Sequence, residues 1–203
     1  MIGIIDYKAG NIRSVINAFS FLGQECELVS DAGRLKFYDR VVLPGVGAFG
    51  EAMARLKAAN FDEAAREFIA TGKPFLGICL GMQLLFEQSE EFGSNPGLGL
   101  ISGRVVKFDT ARFEQPLKVP QVGWNLLNFT KQTPINAGLD KSEYLYFVHS
   151  YHVVCDEKFA LAFSDYGYKF VSAVACENIY GFQPHPEKSH EAGLKILENF
   201  ARL

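Results

Sequence analysis

No apolar run in this 203-residue chain approaches the ~20 residues that a membrane-crossing helix needs. Its 20 basic residues form no cluster and its net charge is −3, so nucleic acid and anionic membrane surfaces are disfavoured as partners. The four cysteines, Cys26, Cys79, Cys155 and Cys176, show no CxxC spacing, which argues against both a zinc site and a disulfide framework. The first ten residues, MIGIIDYKAG, have no basic segment leading an apolar one. A signal peptide is therefore not expected and the chain reads as cytoplasmic. No motif asks for a metal or an organic cofactor.

What is present is ordinary globular material, 48% apolar and 21% charged. In the first half, short apolar strands alternate with amphipathic helices. IGIID, CELV, RVVLPG and PFLGIC read as strands. Asn11 offers a helix N-cap, and Ile12, Val15, Ile16, Phe19 and Leu22 then form one helical face that Gly23 ends. Residues 48–58 and 61–71 read as two further helices, and LGMQLLFEQ as a helix following PFLGIC. Continuous apolar strands interleaved with helices predict a parallel sheet covered on both faces. The second half carries GRVVKF, YLYFVHSYHV, FALAF, KFVSAVA and IYGFQ, strands separated by short turns, then a closing helix, HEAGLKILENFARL. The reading is one α/β domain over residues 1–203, three-layered, with a largely parallel sheet and an antiparallel or mixed extension.

The chemistry concentrates in KPFLGICLGMQLLFE. Gly77 and Gly81 stand two residues either side of Cys79 at a strand-to-helix junction, the G-x-nucleophile-x-G spacing of a nucleophile elbow. Such a turn strains the nucleophile's backbone and leaves no room for side chains at the flanking positions. Helix N–H groups starting at Leu80 face the sulfur, and a thiolate is the attacking species in cysteine chemistry. A cysteine in an apolar run is ordinarily a small buried hydrophobe. That reading is kept for Cys26, Cys155 and Cys176, whose surroundings lack the glycine pair.

A thiolate needs a proton acceptor that is itself oriented. His149 and His152, three apart in YFVHSYHV, point to opposite faces of a strand. His190 opens the last helix, where a surface or capping role suffices. His185 lies in GFQPHPEKS between two prolines, with Glu187 two residues on and on the same side of an extended segment. Alone, HPE reads equally well as a rigid surface turn; beside the elbow it completes a Cys–His–Glu triad. LPGVGAFGEA ends a strand and opens a helix, and its glycines permit a turn whose N–H groups face a ligand. Coming after the third strand, it is not a dinucleotide fingerprint.

PGVG, GICLGMQ and HPE, in this order and at these separations, resemble the class I (triad) glutamine amidotransferases over the whole chain. IDYKAGNIRSV, GICLGMQLLFE, VGWN, YFVHSY and HPEKS resemble most the glutaminase subunits of imidazole glycerol phosphate synthase. Two features depart from the usual pattern, Pro184 where Phe is usual and QVGWN where HMGWN is common.

The resemblance implies glutamine hydrolysis by Cys79, His185 and Glu187, with backbone N–H groups of Gly45, Val46, Gly47 and Leu80 around the oxyanion. It places Gln83 and Glu91 beside the bound L-glutamine. It implies a heterodimer with a (β/α)8-barrel cyclase that receives the ammonia, met through Asn11, Trp124, Tyr146 and Lys188. Three other readings share parts of the pattern: a paralogous glutaminase serving a surface-sugar pathway, an inactive glutaminase-like binding subunit, and a thiol hydrolase of other acyl groups. The intact triad weighs against the inactive subunit, and Gln83 with the PGVG loop against the hydrolase.

Overall fold

Strand β1 (Ile2–Ile5) is buried along its whole length, as a central parallel strand must be. Helix α1 (Ile12–Phe21) follows, burying Val15, Ala18 and Phe19 on the face read from the sequence. Then come β2 (Cys26–Val29), β3 (Arg40–Gly45), α2 (Phe49–Ala58), α3 (Phe61–Ala70) and β4 (Phe75–Cys79). The remaining elements are α4 (Leu80–Gln83), β5 (Phe86–Ser89), β6 (Asn95–Pro96), β7 (Ile101–Lys107), β8 (Gln121–Phe129), β9 (Ser142–His149), β10 (Tyr151–Cys155), β11 (Ala160–Asp165), β12 (Lys169–Cys176), β13 (Ile179–Phe182) and α5 (His190–Arg202). This computed structural model describes residues 1–8 and 10–203.

The sheet runs β2-β1-β3-β4-β13-β12-β10-β7-β5-β6, with β11, β8 and β9 branching from β12. From β2 to β13 the pairs are parallel; β13–β12, β12–β10, β10–β7 and the β11–β8–β9 branch are antiparallel. Successive residues feed opposite cores. Ile5, Val41, Leu43 and Phe75 pack on α2 and α3, whereas Ile4, Val42, Leu76 and Ile78 pack with α1 and α5. The three-layer α/β architecture with a mixed extension is the expected one. Among the described residues no helix is long and apolar enough to cross a membrane.

Three expectations change. The helix expected over 80–88 stops after one turn at Gln83, and Phe86–Ser89 is a strand. The carbonyls of Leu84, Leu85, Phe86 and Glu87 are claimed by N–H groups of residues 97–101, so a longer helix would forfeit those bonds. His149 and His152 do not diverge, because the strand breaks at Ser150 between β9 and β10. Both rings pack on Phe108, with centroids 5.1 and 5.0 Å away. Asn11 sits at the N-cap of α1, but its side chain makes no capping hydrogen bond. The strand β8, which carries VGWN, had no counterpart among the expected strands.

Candidate active site

Three neighbouring parallel strands end at one place. Gly45 at the end of β3 lies in register with Cys79 at the end of β4, and β13 pairs with β4 on its other side. Their outgoing loops carry PGVG, the cysteine elbow and QPHPE respectively. Loops at the carboxyl edge of a parallel sheet are where α/β proteins build their sites.

Cys79 has φ 55° and ψ −114°, outside the regions that L-residues ordinarily occupy. The turn is tight because its two flanking glycines touch. A Cβ on Gly77 would lie 2.7 Å from the Gly81 carbonyl oxygen, and one on Gly81 would lie 1.8 Å from the Leu43 carbonyl oxygen. No side chain fits at either position, which accounts for the spacing. α4 is a single turn, so the aligned dipole expected of a longer helix is lacking at the sulfur, and the Cys79 side chain makes no capping hydrogen bond to the helix N–H groups.

His185 leaves β13 by way of Gln183 and Pro184. Its side chain is 2% exposed and that of Glu187 1%. His185 Nδ1 donates to Glu187 Oε1 at 2.8 Å. The contact expected from an extended i, i+2 pair is made by different means: His185 caps a 3-10 turn over Pro186–Lys188, and that turn swings the carboxylate under the ring. Burial alone would lower the His185 pKa; the Cys79 sulfur and the Glu187 carboxylate outweigh it and hold the imidazole up at about 10. Its Nε2 is buried without a hydrogen-bond partner, as is Glu187 Oε2. An unpaired polar atom of this kind is rare in a folded protein and marks a place where a ligand completes the bonding.

A cleft of about 280 Å³ opens above these groups. Val46, Gly47, Cys79, Leu80, Gln83, Glu91 and His185 line it. Gly45 does not. It lies beneath the cleft wall, where a Cβ would come within 2.6 Å of the Gly81 backbone nitrogen. Its part is to let β3 and the elbow approach. Gln83 donates to the Tyr151 carbonyl at 3.0 Å and to Gln183 Oε1 at 2.9 Å. Both of its N–H groups are thereby engaged, and its carbonyl oxygen is the polar atom left for the cleft. Glu91 Oε2 accepts the N–H of Phe49 at 2.6 Å, which ties the cleft rim to the first turn of α2.

Beside the cleft, β8 and β9 present an apolar outer face. Val122 is opposite Val148 and Trp124 opposite Tyr146. Trp124 is 46% exposed, so it is no core residue. It stacks on His190 at 4.9 Å and meets Tyr146 edge-on at 6.2 Å. Lys188 is exposed and holds its ammonium 5.9 Å from the Tyr146 ring centroid. Of the two residues that depart from the family pattern before GWN, only Val122 faces outward. Gln121 is buried and contacts His149 Nε2 at 3.1 Å.

Two residues of this neighbourhood escaped the sequence reading. Gln183 is fully buried and donates to Cys79 Sγ at 3.8 Å. Its signal was available, since it lies two residues before His185 in the same QPHPE segment. Ser189 donates from Oγ to the His185 carbonyl at 2.6 Å and accepts the Tyr146 N–H at 2.9 Å. It precedes the last helix without a side-chain capping hydrogen bond, and nothing local in the sequence marks its role as a bracket.

Comparison with known proteins identifies the family. The family profile described as glutamine amidotransferase class-I matches residues 3–203. The imidazole glycerol phosphate synthase subunit HisH of Sulfurimonas denitrificans is 59% identical over 203 residues, covering 100% of this chain and 98% of that one. The subunit of the same name from Wolinella succinogenes is 50% identical over 204 residues, covering 100% of both chains. Among solved structures, PurLQS of Thermotoga maritima superposes with a TM-score of 0.78 over 99% of this chain and 97% of that one, at 21% identity, a likeness of fold. The chain belongs to the class-I glutamine amidotransferases, and within them to the family of HisH subunits.

Proposed function

We propose that this chain is the glutaminase subunit of an imidazole glycerol phosphate synthase, with Cys79, His185 and Glu187 as a triad. The carrying observation is the convergence at one cleft of a strained cysteine and a buried His185–Glu187 pair whose Nε2 has no partner. In this reading L-glutamine enters the cleft with its carboxamide at Cys79, and Gln83 and Glu91 contact the rest of the molecule. The Cys79 thiolate attacks the carboxamide carbon, and the carbonyl oxygen takes up the displaced electron pair as an oxyanion. N–H groups of Val46, Gly47 and Leu80 receive that charge. His185, protonated through its raised pKa, gives its Nε2 proton to the nitrogen as the C–N bond breaks. Ammonia leaves and a thioester remains. Neutral His185 then takes a proton from water, whose oxygen attacks the thioester. Glutamate departs, and the thiolate–imidazolium pair is restored. Glu187 keeps the ring in place throughout.

Ammonia released into water is protonated and ceases to be a nucleophile, so it has to be handed to an acceptor. The acceptor in this reading is a (β/α)8-barrel cyclase that makes imidazole glycerol phosphate and an aminoimidazole carboxamide ribonucleotide, in a cytoplasmic biosynthetic role. The exposed apolar face of β8 and β9, with Trp124, Tyr146 and Lys188, is its docking surface; aromatic and charged anchors are common at such interfaces. In this reading Asn11, at the start of α1, also meets the partner. The deciding experiment is co-purification with the cyclase followed by two assays. Cys79→Ala is expected to lose glutamine-dependent synthesis and keep synthesis from added ammonium salts. Glutamate release by Cys79→Ala would refute the triad, and failure of the two chains to associate would refute the partner.

A further inference from the structure

We infer that Gln183 is an additional functional residue of this site: its side-chain amide donates a hydrogen bond to the Cys79 sulfur, and Gln83 and the Tyr151 carbonyl set the direction of that bond. The inference rests on the reading of Cys79 as the nucleophile. The chain of contacts is continuous. Gln183 Nε2 is 3.8 Å from Cys79 Sγ, within the longer reach of a hydrogen bond to sulfur. Gln183 Oε1 accepts from Gln83 Nε2 at 2.9 Å, and Gln83 Nε2 donates again to the Tyr151 carbonyl at 3.0 Å. The same carbonyl takes the Nδ1–H of His149 at 2.8 Å, which uses its remaining acceptor capacity.

The polarity follows from the far end. A backbone carbonyl only accepts, so Gln83 must turn its NH2 towards Tyr151. Its second N–H then faces Gln183, which must answer with its carbonyl. That leaves the Gln183 NH2 aimed at the sulfur. Reversing either amide would set two acceptors or two donors face to face in a site closed to water, since Gln183 is fully buried and Gln83 nearly so. A donor held in this way stabilises thiolate over thiol. The relay also joins the substrate cleft to the nucleophile. Gln83 lines the cleft with its free carbonyl oxygen, so a ligand bound there polarises the same chain of amides that ends at Sγ.

Burial alone explains none of this. A fully buried residue that served only to fill space would be apolar at lower desolvation cost. The test reads the sulfur directly. The purified chain is treated with iodoacetamide across a pH series, and alkylation of Cys79 is followed by mass spectrometry. Gln183→Leu keeps approximate volume and removes the donor; Gln183→Glu keeps shape and sets an acceptor against the sulfur. The midpoint of the alkylation profile is expected to rise by about one pH unit in Gln183→Leu, a tenfold change in the ionisation equilibrium, and further in Gln183→Glu. A structural role alone would lower the melting temperature and leave the midpoint in place. An unmoved midpoint in either variant, once folded, overturns the inference. If neither folds, the wild-type chain decides: the Gln183 side-chain amide proton is expected to shift downfield as the sulfur ionises, and a static or upfield signal overturns it. Failure of the underlying reading looks different, because Cys79 would then react no faster than Cys155 in the wild-type chain.

Discussion

The backbone of Tyr146 holds His185 from both sides. The His185 N–H donates to the Tyr146 carbonyl at 2.9 Å, and the Tyr146 N–H reaches Ser189 Oγ, which donates in turn to the His185 carbonyl. Tyr146 also carries one of the rings of the exposed β8–β9 face. The proposed docking surface and the proposed acid–base residue are thus separated by one peptide and one hydroxyl.

Ser189→Ala removes the hydroxyl of this bracket and leaves the Tyr146 N–H buried and unpaired. A loss of roughly 1–3 kcal/mol in unfolding free energy is expected, to be read by denaturant titration. In the complex, kcat for glutamine is expected to fall with little change in KM, because Ser189 does not line the cleft. Unchanged stability and kcat together would remove Ser189 from this account.

The other cysteines are chemically quiet for a common reason. Burial raises the Cys26 thiol, raises Cys155 to about 11, and raises Cys176. At neutral pH each is a thiol. Cys26→Ala, Cys155→Ala and Cys176→Ala are expected to retain glutaminase activity, whereas Cys79→Ala loses it. A glutamine-mimicking electrophile is expected to label Cys79 alone in peptide mapping.

Much of this site was legible in the sequence because its rules are local. The elbow spacing around Cys79 follows from the contact between Gly77 and Gly81, four residues apart in one turn. The HPE segment yields its ion pair within three residues. What was not legible depends on partners distant in sequence. Whether the chain after Gln83 stays helical is settled by hydrogen bonds from residues 97–101. The common side taken by His149 and His152 depends on a strand break at Ser150 that apolar alternation does not record. Gly45 of the proposed oxyanion loop also packs against Gly81, a contact between segments that local sequence does not display.

Two of the buried histidines, His149 and His185, make opposite demands on pH. Burial lowers His149 to about 3 and keeps it neutral, so below about pH 6.5 the unfolded chain binds a proton that the folded chain refuses. Stability from this group falls with acid, by roughly 1.4 kcal/mol per unit. His185 is raised to about 10, so its contribution is complete below pH 6.5 and is lost as pH climbs through 10. Cys79→Ala removes one of the two groups that support the imidazolium, and Glu187→Gln the other. The His185 titration, followed by NMR, is expected to move down in each single variant. In the double variant burial dominates and the ring is expected to titrate below 6.5, its ordinary value. A His185 titration that ignores both substitutions would show that neither group holds the proton.

The last prediction concerns control. A glutaminase that runs without its acceptor wastes glutamine, so chemistry is expected to wait for the cyclase. The structure offers a short route for such control. Lys188 lies directly after Glu187, its N–H donates to the His185 carbonyl at 3.0 Å, and its ammonium sits over Tyr146. Trp124 is packed between Tyr146 and His190, so pressure on the β8–β9 face is passed to the segment that carries His185. Val46, 43% exposed at the cleft rim, lies where the partner would also meet a proposed oxyanion donor. The isolated chain is expected to hydrolyse glutamine slowly, and the complex to accelerate when the cyclase receives its ribonucleotide. Trp124→Ala is expected to weaken association, and Lys188→Ala to reduce stimulation while the pair still forms. Both are expected to melt within a few degrees of the wild-type chain, since exposed substitutions seldom cost more than about 0.5 kcal/mol. Steady-state assays of the purified chain, with and without the cyclase and its ribonucleotide, separate the outcomes. Full activity in the chain alone would end the gating idea, and normal stimulation in both variants would move the docking surface elsewhere.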